Sequence, residues 1–153
     1  MPRIKAFQAL RPVPELAAKV ASVPYDVVDT KQAAALAAGN PDSFLHVVRA
    51  EIDQPEGTNP YSDEVYAQAK ANLERFQNEG DLIRETEPTI YLYSQQMGDH
   101  IQFGIVATCY VEDYETGNIK IHEKTRRVKE EDRIRYVDTQ NANTGPVFLA
   151  YRD

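Results

Sequence analysis

The stretch TIYLYSQQMGDHIQFGIVATCYVEDY, residues 89–114, decides the fold class. Its two halves are rich in β-branched and aromatic residues, which favour strands. They flank the tripeptide Met-Gly-Asp at 97–99, a break typical of a hairpin turn. Before this stretch, apolar residues recur at helical spacing from Val65 to Phe76. A clear helix beside a clear hairpin predicts an α+β domain, with a single mixed or antiparallel sheet and helices packed on a face.

Shorter elements follow from composition and from the residues that interrupt regular structure. Bulky and β-branched runs predict strands at 3–10, 43–50, 118–121 and 147–151. Apolar periodicity and capping residues predict helices at 15–22, 31–39, 62–80 and 129–140. A chain of 153 residues is long enough for one domain with a real core and short for two. We therefore expect a single domain over residues 1–153.

Charge and cysteine content exclude several classes of function. The net charge of −7 argues against a nucleic-acid partner and against a membrane surface, because both need a broad basic face. Cys109 is the sole cysteine, so neither an intrachain disulfide nor a cysteine metal cluster is possible within the chain. Its apolar surroundings predict a small buried side chain. We find no signal-peptide pattern and no run of about 18 apolar residues, so we expect a cytoplasmic protein.

One stretch, residues 117–136, reverses the charge of the chain. It holds seven basic and four acidic side chains, a local charge of +3 that leaves −10 for the rest. If a helix begins just after the basic run, Lys124, Thr125, Arg126 and Arg127 lie ahead of its N-terminus. Unpaired backbone N–H groups and the helix dipole favour an anion there, and Arg grips phosphate or carboxylate with two hydrogen bonds. The pattern indicates an anion site, although a solvated surface fits the same residues.

His122 and Glu123 directly precede this run. They suit a general acid or base, or the ligands of a divalent cation beside a phosphate. Adjacent residues on a strand point to opposite faces, which weighs against a shared metal. Asn143 belongs to a polar loop that is either a turn or part of a site. His46 lies in the predicted strand at 43–50, and we expect it to be a packed core imidazole. The sequence has no Walker loop, nucleophile elbow or H-E-x-x-H motif, so no motif fixes a reaction.

Five segments in order resemble a known family. They are VPYDVVD, NPDSFLHVVRAE, PTIYLYSQQ, IKIHEKTRRVKEEDRIR and NANTGPVFLAYRD, at residues 23–29, 40–51, 88–96, 119–135 and 141–153. Together they resemble the amino-terminal half of an uncharacterised prokaryotic family, number 1015 in the domain-of-unknown-function series. Members of this family are more than twice as long, which predicts that this chain is the N-terminal part of a longer protein. Their second half carries a motif similar to that of the ParB-related free-serine kinases, which use a nucleotide and Mg²⁺.

The resemblance implies a shared site that contains His122, Glu123, Lys124, Thr125, Asp132, Arg133 and Asn143, and the basic run adds Arg126 and Arg127. The chemistry of each side chain suggests its role. Those with a catalytic role are His122, Glu123 and Asp132; those that bind phosphate are Lys124, Thr125, Arg126, Arg127, Arg133 and Asn143. Asp26 and Asp153 are two further candidates for this site. We expect a phosphate-containing small molecule at the basic loop 122–133, with Mg²⁺ if the ligand is a nucleotide. Any enzyme activity would be a phosphotransferase reaction that needs a second domain.

A second function stays open. In this alternative the chain is a non-catalytic interaction or scaffold domain. Its basic loop docks an acidic surface of its own second domain or of a partner subunit, and a homo-oligomer is one form of this. A phosphate site requires the basic side chains to converge, whereas a docking surface leaves them splayed. Few aromatic residues interleave with the basic ones, so nucleic acid is not expected.

Overall fold

The computed structural model describes residues 2–121 and 124–151. The chain divides into two compact units. A hairpin unit comprises Met1–Arg11 and Ile83–Lys124, and a helical unit comprises Pro12–Leu82 and Thr125–Asp153. The described helices are α1 Ala17–Val20, α2 Thr30–Ala37, α3 Leu45–Val48, α4 Asp63–Asn78, α5 Val111–Glu115 and α6 Arg127–Gln140. The described strands are β1 Ile4–Lys5, β2 Leu10–Pro12, β3 Leu82–Arg84, β4 Tyr91–Met97, β5 His100–Val106 and β6 Thr108–Cys109.

Helix α4 organises the core of the helical unit. Its predicted apolar stripe is buried, and Phe76 is fully enclosed. Phe76 lies edge-to-face with Phe44, with ring centroids 6.3 Å apart, a favourable aromatic geometry. The core residues form three clusters, which are Val20, Val47, Leu73, Phe76 and Leu82; Ala50, Val65, Tyr66, Ala69 and Tyr136; and Ala33, Ala37, Leu45 and Val48. The prediction of a helix at 62–80 is confirmed.

Helix α2 shows why the sequence places its start correctly. The Asp29 carboxylate accepts a hydrogen bond from the Gln32 backbone N–H at 2.8 Å. The Gln32 side chain in turn accepts one from the Asp29 N–H at 2.9 Å. This reciprocal capping box satisfies two N–H groups that the helix itself cannot bond.

The predicted strand at 43–50 is wrong. The chain forms α3 there and continues into a 3-10 turn, Ala50–Asp53. Leu45, Val47 and Val48 are all buried. Their bulk reflects burial against neighbouring helices and not strand pairing, because short apolar runs suit either conformation. His46 is partly buried in this segment, with 18% of its side chain exposed.

The hairpin of the other unit confirms the interpretation of the opening stretch. β4 and β5 pair antiparallel from Tyr91 opposite Val106 to Met97 opposite His100. Gly98 is the first of the two turn residues. Its φ of 60° is a backbone conformation that residues other than glycine rarely adopt. At its base β1 pairs with β6, and a single bridge joins Phe7 to Thr89.

The α+β class is confirmed, but the strands form small ladders. Among the described residues the pairs are β1 with β6, β2 with β3 and β4 with β5, where one sheet was expected. The predicted strand at 3–10 divides into β1 and β2, and residues 118–121 and 147–151 form no strand. Val147 and Phe148 are largely exposed, so they lack the covering that stabilises a strand. Cys109 is exposed, which corrects the prediction of a buried thiol.

Candidate functional site

The basic loop leads into the N-terminus of α6. Arg126 takes the N-cap position with extended backbone and makes no side-chain capping bond. Its carbonyl accepts hydrogen bonds from the N–H groups of Lys129 and Glu130. The N–H groups of Arg127 and Val128 precede the helical ladder and therefore have no intrahelical acceptor. The helix begins two residues before the predicted start at Lys129, so Arg127 lies in its first turn and not ahead of it.

Three of the predicted phosphate ligands lie next to each other in sequence at this helix start. Thr125, Arg126 and Arg127 are consecutive, exposed and part of the helical unit. The Arg127 side chain is 88% exposed, and its Nε donates to Glu131 Oε1 at 2.7 Å. A surface ion pair of this kind contributes only about 0–1 kcal/mol, so an anionic ligand can displace it. Lys124 is also exposed and belongs to the hairpin unit.

Asp132 and Arg133 point away from this loop, into the helical unit. Asp132 is 6% exposed, and its Oδ1 accepts a hydrogen bond from the Tyr66 hydroxyl at 2.8 Å. Its Oδ2 accepts from Arg133 Nη2 at 2.7 Å. The Arg133 guanidinium lies over the rings of Tyr25 and Tyr136, about 4 Å from each centroid. These contacts fix α6 to α4 through polar groups.

Two tyrosines around this carboxylate keep their protons at neutral pH. Burial, together with the hydrogen bond to Asp132, raises the pKa of Tyr66 far above its usual range. Burial and the nearby Glu51 carboxylate raise the pKa of Tyr136 to about 12. Tyr66 is therefore a permanent hydrogen-bond donor to Asp132. Neither tyrosine suits a general base.

A second buried carboxylate was missed by the sequence reasoning. Glu51 Oε1 forms an ion pair with Arg49 Nη2 at 2.9 Å and accepts a hydrogen bond from the Thr30 hydroxyl at 3.2 Å. The Arg49 Nε is buried with no hydrogen-bond partner among the described residues. The signal was an Arg and a Glu two positions apart, immediately after the apolar run FLHVV. That run is predicted as a strand, and no local pattern predicts a buried ion pair after it.

His46 belongs to a separate polar network. Its Nδ1 lies 2.8 Å from Asp53 Oδ1, and its Nε2 lies 3.2 Å from the Asn40 carbonyl oxygen. Asn72 donates to the other Asp53 oxygen at 2.7 Å and to the His46 carbonyl at 2.6 Å. Both ring nitrogens face protein acceptors, so His46 ties α3 to its surroundings and has no free nitrogen for a ligand. It is thus a partly exposed member of a polar network and not the core imidazole that was predicted.

The remaining predicted residues do not gather at the helix start. The Asn143 Oδ1 accepts from the Gly145 N–H at 3.2 Å in the turn after α6. A helix of 14 residues is about 21 Å long, so Asn143 lies at the far end from Thr125. Asp26 is exposed. His122, Glu123 and Asp153 lie outside the described residues, and their predicted roles stay predictions.

Two searches for specific features give negative results within the described ranges 2–121 and 124–151. No group of three or more His, Cys, Asp or Glu side chains is arranged there to hold a metal ion. No helix in those ranges is long and apolar enough to cross a bilayer.

Comparison with known proteins places the chain in a family without an assigned activity. The family model described as "Protein of unknown function (DUF1015)" matches residues 4–153. No curated protein and no solved structure matches. The relation to the ParB-related kinases therefore stays a prediction. Because the family model covers nearly the whole sequence, the chain belongs to the DUF1015 family.

Proposed function

We propose that this chain binds a phosphate-containing small molecule, a nucleotide or a phosphorylated metabolite, as part of a kinase-like or phosphate-handling protein. The binding site is the N-terminus of α6 with the basic loop ahead of it. One observation carries the proposal: α6 begins without a side-chain cap directly behind exposed Thr125 and Arg126. Free N–H groups, a helix dipole and adjacent guanidinium groups all favour the same kind of ligand.

Each group at the helix start supplies a different part of the recognition. The backbone N–H groups of Arg127 and Val128 donate to phosphate oxygens. Arg126 and Arg127 each offer two parallel N–H donors, and Arg127 exchanges Glu131 for the ligand. The Thr125 hydroxyl adds a further donor. The −10 charge elsewhere on the chain repels anions, so binding depends on this one location.

Asp132 acts in this proposal as a positioning residue. It holds Arg133 and Tyr66, and so fixes the angle at which α6 presents its first turn. If the ligand is a nucleotide, Mg²⁺ would bind with it. The phosphate oxygens of the nucleotide and the Glu123 carboxylate would then be the ligands of Mg²⁺. His122 would supply acid or base chemistry. A complete phosphotransferase site needs groups from a second domain, so we expect this chain to bind ligand without turning it over.

A thermal-shift panel tests the proposal. The ligands are ATP, ADP, CTP, phosphoserine, pyrophosphate and sulfate, each with and without Mg²⁺. At 100 times its dissociation constant a ligand stabilises the folded state by about 2.7 kcal/mol. For a chain of this size that corresponds to a rise of about 5–10 °C in the unfolding midpoint. We expect this rise for at least one phosphorylated ligand.

A pair of double variants makes the test specific. R126A/R127A removes the two guanidinium groups, and the ligand-induced rise should disappear. K31A/K70A removes the same charge from exposed positions on α2 and α4, and should keep the rise. An equal loss in both variants would mean a general charge effect and no site. No shift with any ligand would remove a phosphate site that this chain forms by itself.

The interaction domain is the second candidate function. The 88% exposure of Arg127 favours it, because a side chain extended into solvent can reach an acidic protein surface. A docking loop would bind an acidic partner in a salt-sensitive way and give no shift with small phosphates. The ligand panel therefore separates the two functions.

A further inference from the structure

The β4–β5 hairpin exposes an uncharged surface. Residues 88–111 contain no Lys, Arg or Glu, and their single Asp, Asp99, is in the turn. By contrast, charged residues make up 27% of the whole chain. The register places Leu92 opposite Ile105, with Phe103 and Ile101 on the same face. Leu92 is 78% exposed and Phe103 is 63% exposed, and both isoleucines are also exposed.

Exposed edge strands of this kind are unusual in a stable protein. Natural sheets protect their edges with charged side chains, prolines, bulges or very short strands, because an open edge pairs with other chains. β5 has seven residues in regular register with β4, and neither a bulge nor a proline interrupts it. Its outer edge has no partner strand among the described residues. The surface is therefore suited to pairing with a further strand.

The sequence of β5 indicates which strand that is. Its outward apolar side chains are symmetric about Phe103, with Ile101 two residues before and Ile105 two residues after. If β5 pairs antiparallel with itself about Phe103, each Ile101 faces an Ile105 and the two Phe103 rings face each other. β4 lacks this symmetry, because Leu92 and Gln96 flank Ser94. A two-fold axis at Phe103 gives the self-complementary contact that a closed dimer requires.

We propose that β5 pairs with β5 of a second copy of this chain, in a four-stranded antiparallel sheet with a continuous apolar face. Charge is compatible with this occupant, since an uncharged surface lets two chains of net charge −7 meet without placing like charges in contact. A hairpin supplies about half of the 20–30 residues per side of a standard interface. The dimer is accordingly weak, and it forms in the micromolar concentration range.

Charge complementation at Phe103 tests the proposal. Sedimentation velocity of the wild-type chain from about 1 to 500 μM should show a concentration-dependent dimer. F103K alone and F103E alone should stay monomeric, because each places like charges opposite each other across the axis. Mixed in equal amounts, they should form a heterodimer at least about tenfold tighter than either variant alone. Phe103 is largely exposed, so both variants keep the fold, which circular dichroism checks.

L92K and L92E are the matched control. Leu92 is on the same face and is even more exposed, but it is on β4, away from the axis. Mixing these two variants should give no complementation. A wild-type chain that is monomeric throughout would overturn the proposal. So would complementation that is absent at Phe103, or equally strong at Leu92.

Discussion

At the scale of single residues, the Tyr66 hydroxyl matters most for the candidate site. It donates the hydrogen bond that satisfies Asp132 Oδ1 inside the helical unit, 66 positions away in sequence. In Y66F a buried carboxylate oxygen loses its donor, which costs about 1–3 kcal/mol. We expect the free energy of unfolding, measured in urea, to fall by that amount.

Y61F is the control for this substitution. The Tyr61 hydroxyl accepts a hydrogen bond from Lys129 Nζ at 3.2 Å, so it also contacts α6, but this hydrogen bond is exposed to solvent. Water replaces this bond, and the change should be within about 0.5 kcal/mol. Equal effects of the two substitutions would show that the buried bond contributes nothing special. Y66F should also weaken any phosphate-dependent thermal shift, because Asp132 positions the helix start.

The same residues mark the limit of sequence reasoning about the site. Asp132 is predicted to be catalytic and Arg133 to bind phosphate, and both roles stay predictions. In the structure Asp132 also accepts a hydrogen bond from Tyr66, and Arg133 lies over the ring of Tyr25. Both tyrosines are distant in sequence, and no local pattern predicts these contacts. A helix was correctly predicted after the basic run, because charge and apolar spacing are local signals, but it begins at Arg127, two residues before the predicted start. Polar pairing between residues far apart in sequence leaves no such local signal.

At the scale of elements, local signals account for the successes as well. The α4 stripe and the hairpin turn depend on neighbours within a few residues, and both are confirmed. The prediction of a strand at 43–50 was wrong because buried apolar residues suit a helix or a strand, and tertiary packing decides between them. The structure has small ladders where one sheet was expected. Which strands pair depends on contacts between residues far apart in sequence, and no local pattern specifies them.

Asp113 joins two elements of the hairpin unit and gives it a pH dependence. Its carboxylate accepts hydrogen bonds from the Arg3 backbone N–H at 2.8 Å, from Asn118 at 3.0 Å and from Arg3 Nε at 3.1 Å. These donors, the Arg3 N–H first, lower the pKa of Asp113 to about 2. Because the folded-state pKa is below the ordinary value of about 3.9, the stabilisation is complete above pH 4. It is lost as the pH falls towards 2.

D113N tests this linkage. Asn offers one acceptor oxygen to three donors, so the variant should have a lower urea midpoint than wild type at pH 5. That difference should shrink as the pH falls from 4 to about 2, where the wild-type carboxylate takes up its proton. The control is D99N, which removes an exposed carboxylate from the hairpin turn. A difference that stays constant with pH in D113N, or that shrinks equally in D99N, would contradict the assignment.

At the scale of the whole molecule, the two units differ in how they are stabilised. Every buried apolar side chain among the described residues belongs to the helical unit, around α4. In the described part of the hairpin unit the one buried side chain is Asp113. A two-stranded hairpin is at most marginally stable in water by itself. Burial of apolar surface is the main source of stability, so the two units should open with very different free energies.

Amide hydrogen exchange measures this difference. In dilute protein, peptides from residues 91–106 should exchange at least about tenfold faster than peptides from residues 65–76 in α4. Raising the protein concentration should slow exchange in residues 100–106 and leave α4 unchanged, because a second copy covers the outer edge of β5. F103K should abolish this concentration dependence without altering the exchange of α4. Hairpin amides that are as protected as those of α4 in dilute wild-type protein would show that the hairpin unit is stabilised within a single chain.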